Sequence, residues 1–242
     1  MVGKAKKAED SLHIKNWPAS DRPRERLLEK GPEGMSDAAL LAILLRTGRK
    51  GQNAVALARE MIDRFSGLHG LMSATQDDFR SVKGVGKAKI AQIMAAMEIV
   101  KRQLRQPLHK KNVVENPEHL SEYLKASMNT LSREEFRVLH LNRSKELMSE
   151  EVLFRGTVDE STIYPRDVVE SALRKRASAL IFVHNHPTGL AEPSQEDIQL
   201  TRTLIGACRS VDIPVLDHII IGRDGFMSLF RTHPDLFTVE GS

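Results

Sequence analysis

The sequence predicts an α+β protein in two parts: a small all-α domain over residues 1–112, then an α/β sandwich over residues 113–242. Three observations carry this. Apolar residues between 36 and 104 recur at helical spacing, with capping residues where the patterns start. From residue 134 onward, strand-like and helix-like segments alternate. The charge is also split. Lys and Arg outnumber Asp and Glu by 22 to 12 up to residue 112, a balance of +10, and are outnumbered 20 to 14 after it, a balance of −6. Such asymmetry suggests two modules with different partners.

Composition excludes several classes. No apolar run reaches membrane-spanning length. The opening "MVGKAKKAED" is basic, and no apolar stretch follows it, so no secretory leader is expected. Cys208 is the single cysteine, so no intramolecular disulfide can form, which fits a cytoplasmic protein. The basic half suits a phosphate polymer, although a merely solvated basic surface gives the same composition.

In the first half, "SDAALLAILLRTG" reads as a helix with Ser36 as its N-cap and Gly48 as its stop. "NAVALAREMIDRF" puts Val55, Ala58, Met61, Ile62 and Phe65 on one face. "TQDDFRSV" is a short helix capped by Thr75. "KAKIAQIMAAMEIVKRQL" carries an apolar stripe of Ile90, Ile93, Met94, Met97 and Val100, which reads as core. Between these last two lies "VKGVGKAK". Gly84 and Gly86 allow a tight turn with positive torsions. The turn and the following helix start offer free N–H groups, and Lys83, Lys87 and Lys89 add charge beside them. This resembles a helix-hairpin-helix motif, which implies non-specific contact with the backbone of duplex DNA. A glycine turn that simply joins two helices remains open. Helical periodicity then fades over 106–120, where Pro107, Pro117 and a basic run mark the boundary near residue 112.

In the second half, "EFRVLHLN" and "LMSEEVLFRG" read as strands joined by a turn at "NRSKE". "PRDVVESALRKR" is a helix with Pro165 at its first position. "SALIFVHNH" is nearly continuous in apolar residues, as a buried central strand should be. "SQEDIQLTRTLIGACRSV" is helical, with Ile198, Leu204, Ile205 and Cys208 facing inward. "PVLDHIIIG" and "FMSLF" are further strands.

His184 and His186 end the central strand, and residues two apart point to the same face. Their rings can converge on one ion. Asp197 lies in the first turn of the next helix and can supply a third, anionic donor. Two imidazoles and a carboxylate leave a tetrahedral Zn²⁺ one position for water, and Fe²⁺ also accepts such a set. Ser194 and Asp197 are spaced as a capping box, which alone would be structural.

The string "HNHPTGLAEPSQED" resembles the JAMM (MPN+) metalloprotease motif H-x-H-P-x6-S-x-x-D, with Asn185 where Ser or Thr is usual. The resemblance extends to the bacterial RadC family through "RPRERL", "SDAALLAILLRTG", "VKGVGKAKIAQIMAAMEI", "LFRGTVDES" and "VLDHIIIG". It implies a JAMM/MPN-like, cytidine-deaminase-like fold for residues 113–242. It also implies one Zn²⁺ per chain held by His184, His186 and Asp197, and an oxyanion-stabilising Ser194. An upstream glutamate would be the general base: Glu134 is favoured by the resemblance, and Glu135 is its close competitor. The activity implied is metal-assisted hydrolysis of a peptide or isopeptide bond, and the family name suggests a link to DNA repair. Alternatives are a non-catalytic DNA-associated adaptor with a structural metal, and a metal-dependent nuclease. Alternation turns one of Asp217 and His218 inward, toward a contact with the metal ligands or a purely structural role. His140 is in phase with Glu134 and is read as core or surface.

Overall fold

The computed structural model describes residues 13–129, 131–156, 163–187, 189–223 and 225–238. Residues 157–161 of "LFRGTVDES" therefore lie outside the described residues. Two compact units divide the chain, Met1–Ile99 and Val100–Ser242.

The first unit is helical: α1 (Pro23–Lys30), α2 (Asp37–Leu45), α3 (Ala54–Arg64), α4 (Leu68–Ser73), α5 (Gln76–Arg80) and the start of α6 (Lys87–Arg105). Side-chain caps start three of them. Ser36 accepts from the N–H of Ala39, Asn53 accepts from that of Ala56, and Thr75 forms a reciprocal capping box with Asp78. Leu41, Leu45, Leu57, Met61, Phe79, Ile90 and Ile93 form the core. The stripe expected along α6 is only partly buried. Ile90, Ile93 and Met97 face the core, whereas Met94 and Val100 are exposed. A 3.6-residue period places Met94 between two faces, and only the packing decides its side.

The second unit contains the five-stranded sheet. After α7 (Pro117–Met128) come β1 (Glu134–Leu141), β2 (Leu147–Gly156), α8 (Pro165–Arg174), β3 (Ala179–Asn185), α9 (Gln195–Arg209), β4 (Val215–Gly222), β5 (Gly225–Ser228) and α10 (Leu229–Thr232). The strand order is β2-β1-β3-β4-β5. Only the β3–β4 pair is parallel, and α9 makes the crossover that a parallel pair requires. β3 is buried along its whole length, as its apolar run demands.

The two faces of the sheet pack differently. Phe136, Val138, Leu180, Phe182 and Ile220 meet Val168 and Ala172 of α8 and Leu204, Ile205 and Cys208 of α9. Leu139, Leu141, Ile181, Val183, Ile219 and Ile221 meet Leu120, Tyr123, Leu124 and Met128 of α7. The segment before α7 is packed too: Leu108 and Val113 are buried in this second cluster. "FMSLF" does not continue as a strand. Ser228 accepts from the N–H of Arg231 and caps α10, so Leu229 and Phe230 are helical. No helix among the described residues is long and apolar enough to cross a membrane.

Candidate metal centre

The chain leaves the sheet at the C-terminal end of β3, between antiparallel β1 and parallel β4. There His184, His186 and Asp197 bring their donor atoms together. The Nε2 atoms of His184 and His186 are 2.9 Å apart. His184 Nε2 is 3.2 Å from Asp197 Oδ1, and His186 Nε2 is 3.5 Å from Asp197 Oδ2. Bonds of about 2.0–2.1 Å to a tetrahedral ion would separate ligands by about 3.3 Å. The three edges bracket that value.

The outer atoms of the rings are already occupied. His186 Nδ1 donates to the carbonyl of Leu190 at 3.0 Å. His184 Nδ1 lies 2.8 Å from Nε2 of the fully buried His218. With a hydrogen on each Nδ1, both Nε2 atoms carry bare lone pairs. Two such nitrogens at 2.9 Å repel unless a cation or a proton lies between them. The donor set therefore fits a metal ion on its own geometry.

The surrounding chain holds this arrangement. Ser194 Oγ accepts from the N–H of Asp197 at 3.1 Å and donates to Asp197 Oδ2 at 2.8 Å, and the N–H of Ser194 also donates to Oδ2 at 2.8 Å. This capping box starts α9 and leaves Oδ1 turned toward His184. Leu190 is fixed by the end of β4. A Cβ on Gly222 would come within 2.2 Å of the Ala191 nitrogen, so glycine is required where the two segments touch. The His186 N–H donates to the Ile221 carbonyl, and that of Arg223 to the Gly189 carbonyl.

Electrostatics favour positive charge at the centre. Burial opposes ionisation of Asp197, but without a metal a histidine protonated on Nε2 hydrogen-bonds to it, and with the Ser194 N–H this outweighs burial and holds the carboxyl far below its ordinary range. A proton taken up on His186 Nε2 is stabilised by a hydrogen bond to Asp197, which raises His186 against the opposing effect of burial. His218 is pushed well below the ordinary histidine value, by burial first and then by the charge of His184. The side chain of His184 is 8% exposed, that of Asp197 13% and that of His186 20%, so the site opens to solvent at His186.

The two candidate glutamates lie on different faces. Phe136 pairs with His184 across β1 and β3, so Glu134, two residues earlier, lies on the histidine face. Its Oε2 is buried without a hydrogen-bond partner, and its charge acts on His186. Glu135 faces the other way and is held by Arg137 at 2.7 Å and Arg155 at 2.9 Å. Asn185 grips the backbone on both sides of Glu134. Its Oδ1 accepts from the N–H of Glu135 at 2.8 Å, and its Nδ2 donates to the carbonyl of Arg133 at 3.1 Å. One hydroxyl, as in Ser or Thr, would be hard pressed to fill both places.

Three neighbours had weaker signals or none in the sequence. His218 was half legible from strand alternation, whereas Thr201 and the Leu190 carbonyl leave no pattern. Asp217 lies away from the centre and binds Ser228 Oγ at 2.6 Å and the N–H of Phe230 at 3.0 Å. His140 is buried and bridges Ser149 and Ser171.

The hairpin of the first unit is arranged differently. Gly84 has the positive torsion (φ +90°) that the turn requires, whereas Gly86 does not. A Cβ on Gly84 would press against Arg49. Lys89 Nζ donates to the carbonyls of Gly48 at 2.9 Å and Gly84 at 2.8 Å, and Arg49 donates to that of Lys83 at 2.7 Å. Lys89 thus ties two loops together, while Lys83 and Lys87 remain exposed.

Family comparisons agree with this layout. Residues 114–234, which hold the whole centre, match the RadC-like JAB domain, and residues 14–91, which hold the hairpin, match the UPF0758 N-terminal domain. A UPF0758 protein of Marinobacter nauticus is 49% identical over 88% of this chain and 96% of its own length. UPF0758 proteins of Pseudomonas syringae pv. tomato and Cellvibrio japonicus are 46% and 44% identical, over 87% and 90% of this chain and 94% and 97% of theirs. With both matched domains in this order and relatives aligned over nearly their full length, the chain belongs to the RadC family of UPF0758 proteins.

Proposed function

We propose that this protein is a zinc-dependent hydrolase of peptide or isopeptide bonds, with a first unit that contacts the backbone of duplex DNA. One observation carries the hydrolytic reading: two imidazole nitrogens and a carboxylate oxygen converge, and Glu134, whose Oε2 is buried and unpartnered, lies on the same face and acts electrostatically on His186. His184, His186 and Asp197 would hold the ion. When bound, Zn²⁺ supplies Lewis acidity and brings the ionisation of water into the neutral range.

The chain's own groups do the rest. Glu134 Oε2 accepts a proton from the attacking water and passes it to the departing amine as the C–N bond breaks. Asn185 keeps the Glu134 backbone in register with the histidines. Ser194 orients Asp197 through its hydroxyl proton. A contribution from Ser194 to an oxyanion would require that proton to leave Oδ2.

The adaptor and nuclease alternatives draw less support. A structural zinc usually has four protein ligands, and among the described residues this cluster has three. Two-metal nuclease sites need more carboxylates than Asp197 and Glu134. For DNA, Lys83 and Lys87 are the available hairpin charges, since Lys89 is engaged with carbonyls. A DNA-repair role would require both units and rests on the family resemblance.

The test compares newly formed protein N-termini and lysine-linked protein conjugates in cells carrying the active protein with those in cells carrying Glu134→Gln. The reading expects termini or conjugates that depend on Glu134, from a variant that keeps its metal. Identical sets of both would leave an adaptor.

A further inference from the structure

We propose that His218 and Thr201 are positioning residues that fix the tautomer of His184 and couple its orientation to the main chain of Asp197 through a hydrogen-bonded path. This deepens the metal-site reading and rests on it.

The path can be followed atom by atom. Thr201 Oγ1 donates to the main-chain carbonyl of Asp197, one helical turn earlier, at 2.6 Å. That uses the only hydroxyl proton. His218 Nδ1, 2.5 Å from the same oxygen, must then carry the hydrogen of that contact. A neutral ring with a hydrogen on Nδ1 presents Nε2 as an acceptor. His184 Nδ1 lies 2.8 Å from that nitrogen and donates to it. His184 Nε2 is left with its lone pair facing Asp197 Oδ1 and His186. The path begins at the Asp197 carbonyl and ends at the bare Nε2 of His184, which faces the carboxylate of the same residue.

The opposite polarity has the opposite result. If Thr201 gave its proton to His218, His218 Nε2 would hold a hydrogen and donate to His184 Nδ1. His184 Nε2 would then carry a hydrogen and could not bind a metal. The Asp197 carbonyl thus sets the direction of three successive bonds.

Rigidity supports the assignment. His218 and Thr201 are fully buried, and His218 packs edge-on against Phe136 and Phe182 at 5.5 and 5.9 Å between ring centres. The register of β3 and β4 places His218 opposite Phe182 and two residue pairs before His184. Buried between these two rings and closed to bulk solvent, the imidazole is held in one orientation.

The experiment measures Zn²⁺ affinity by chelator competition in the full chain, together with the d–d spectrum of the Co²⁺-loaded protein. Thr201→Val removes the hydroxyl at constant shape, Thr201→Ser keeps it, and His218→Gln keeps one donor and one acceptor. Thr201→Val should weaken Zn²⁺ by roughly 10- to 100-fold and alter the Co²⁺ spectrum, while Thr201→Ser stays near wild type. His218→Gln should fall between them. In the metal-free wild type, ¹⁵N shifts of the His184 ring should report a hydrogen on Nδ1. Unchanged affinity in a folded Thr201→Val protein, or a hydrogen on His184 Nε2, would overturn the proposal. If the wild type itself binds no Zn²⁺, the metal-site reading fails instead, and the ring shifts still decide the path.

Discussion

The hairpin of the first unit and the metal centre of the second both place polar side chains at the ends of regular elements. They treat those side chains in opposite ways. At the hairpin, Lys89 and Arg49 direct their charged heads onto backbone carbonyls of their own unit. At the centre, the outer atoms of His184 and His186 are bonded and the inner atoms are bare. A cluster of polar residues by itself says little. Unsatisfied atoms that all face one point indicate a place for a ligand.

The largest expected effect breaks the centre outright. His186→Ala should abolish stoichiometric zinc binding, read by elemental analysis of purified protein. The mirror-image change, Lys89→Ala, should leave zinc untouched and lower the stability of the first unit by about 1 kcal/mol, read by hydrogen exchange.

Next comes Glu134→Gln. It should keep the metal and reduce turnover by about 10²- to 10⁴-fold, the usual contribution of a positioned base, once a substrate is in hand. Glu135→Gln should instead loosen the Arg137 and Arg155 pairs and act on folding.

Asn185→Ser sharpens the comparison within the second unit. Losing one arm of the grip leaves a buried backbone group near Glu134 without a partner and should cost about 1–3 kcal/mol in urea unfolding. Lys83→Glu with Lys87→Glu should weaken duplex DNA binding at low salt and leave thermal stability unchanged. Equal affinity for DNA would remove the hairpin from the functional reading.

The smallest effect concerns pH. His140 and His218 are held below the ordinary histidine value of 6.5, chiefly by burial. The unfolded chain then binds protons that the folded chain refuses, so the second unit should lose stability as pH falls below about 6.5. His186 is raised by Asp197 and works in the other direction: its stabilisation is full below 6.5 and fades as pH rises past its raised value. Metal-free protein, in which His186 can take a proton, should therefore soften less on acidification than loaded protein. Thermal unfolding of both forms across that range checks the sign.

Much of this was legible in the sequence because the signals were local. Ser36, Thr75 and Ser194 start helices as their side chains require, and the apolar run before His184 could only be a buried strand. What escaped depended on packing or on partners far along the chain. Pro117 read as a breaker, yet it opens α7 at a position where proline costs nothing. Leu108 and Val113 looked like linker residues and are core. Strand parity could not choose between Glu134 and Glu135. The pairing of Phe136 with His184 puts Glu134 on the histidine face, and it is a contact across 48 residues. Thr201 could not be found at all, since one hydroxyl in mid-helix has no pattern and gains meaning only beside His218.

Zinc-edge X-ray absorption of the stoichiometrically loaded protein tests the central claim most directly. The account predicts a four-coordinate ion with two imidazole nitrogens and two oxygens at about 2.0–2.1 Å, one oxygen from Asp197 and one from exchangeable solvent. Four protein donors around the ion, or fewer than two imidazoles, would contradict it.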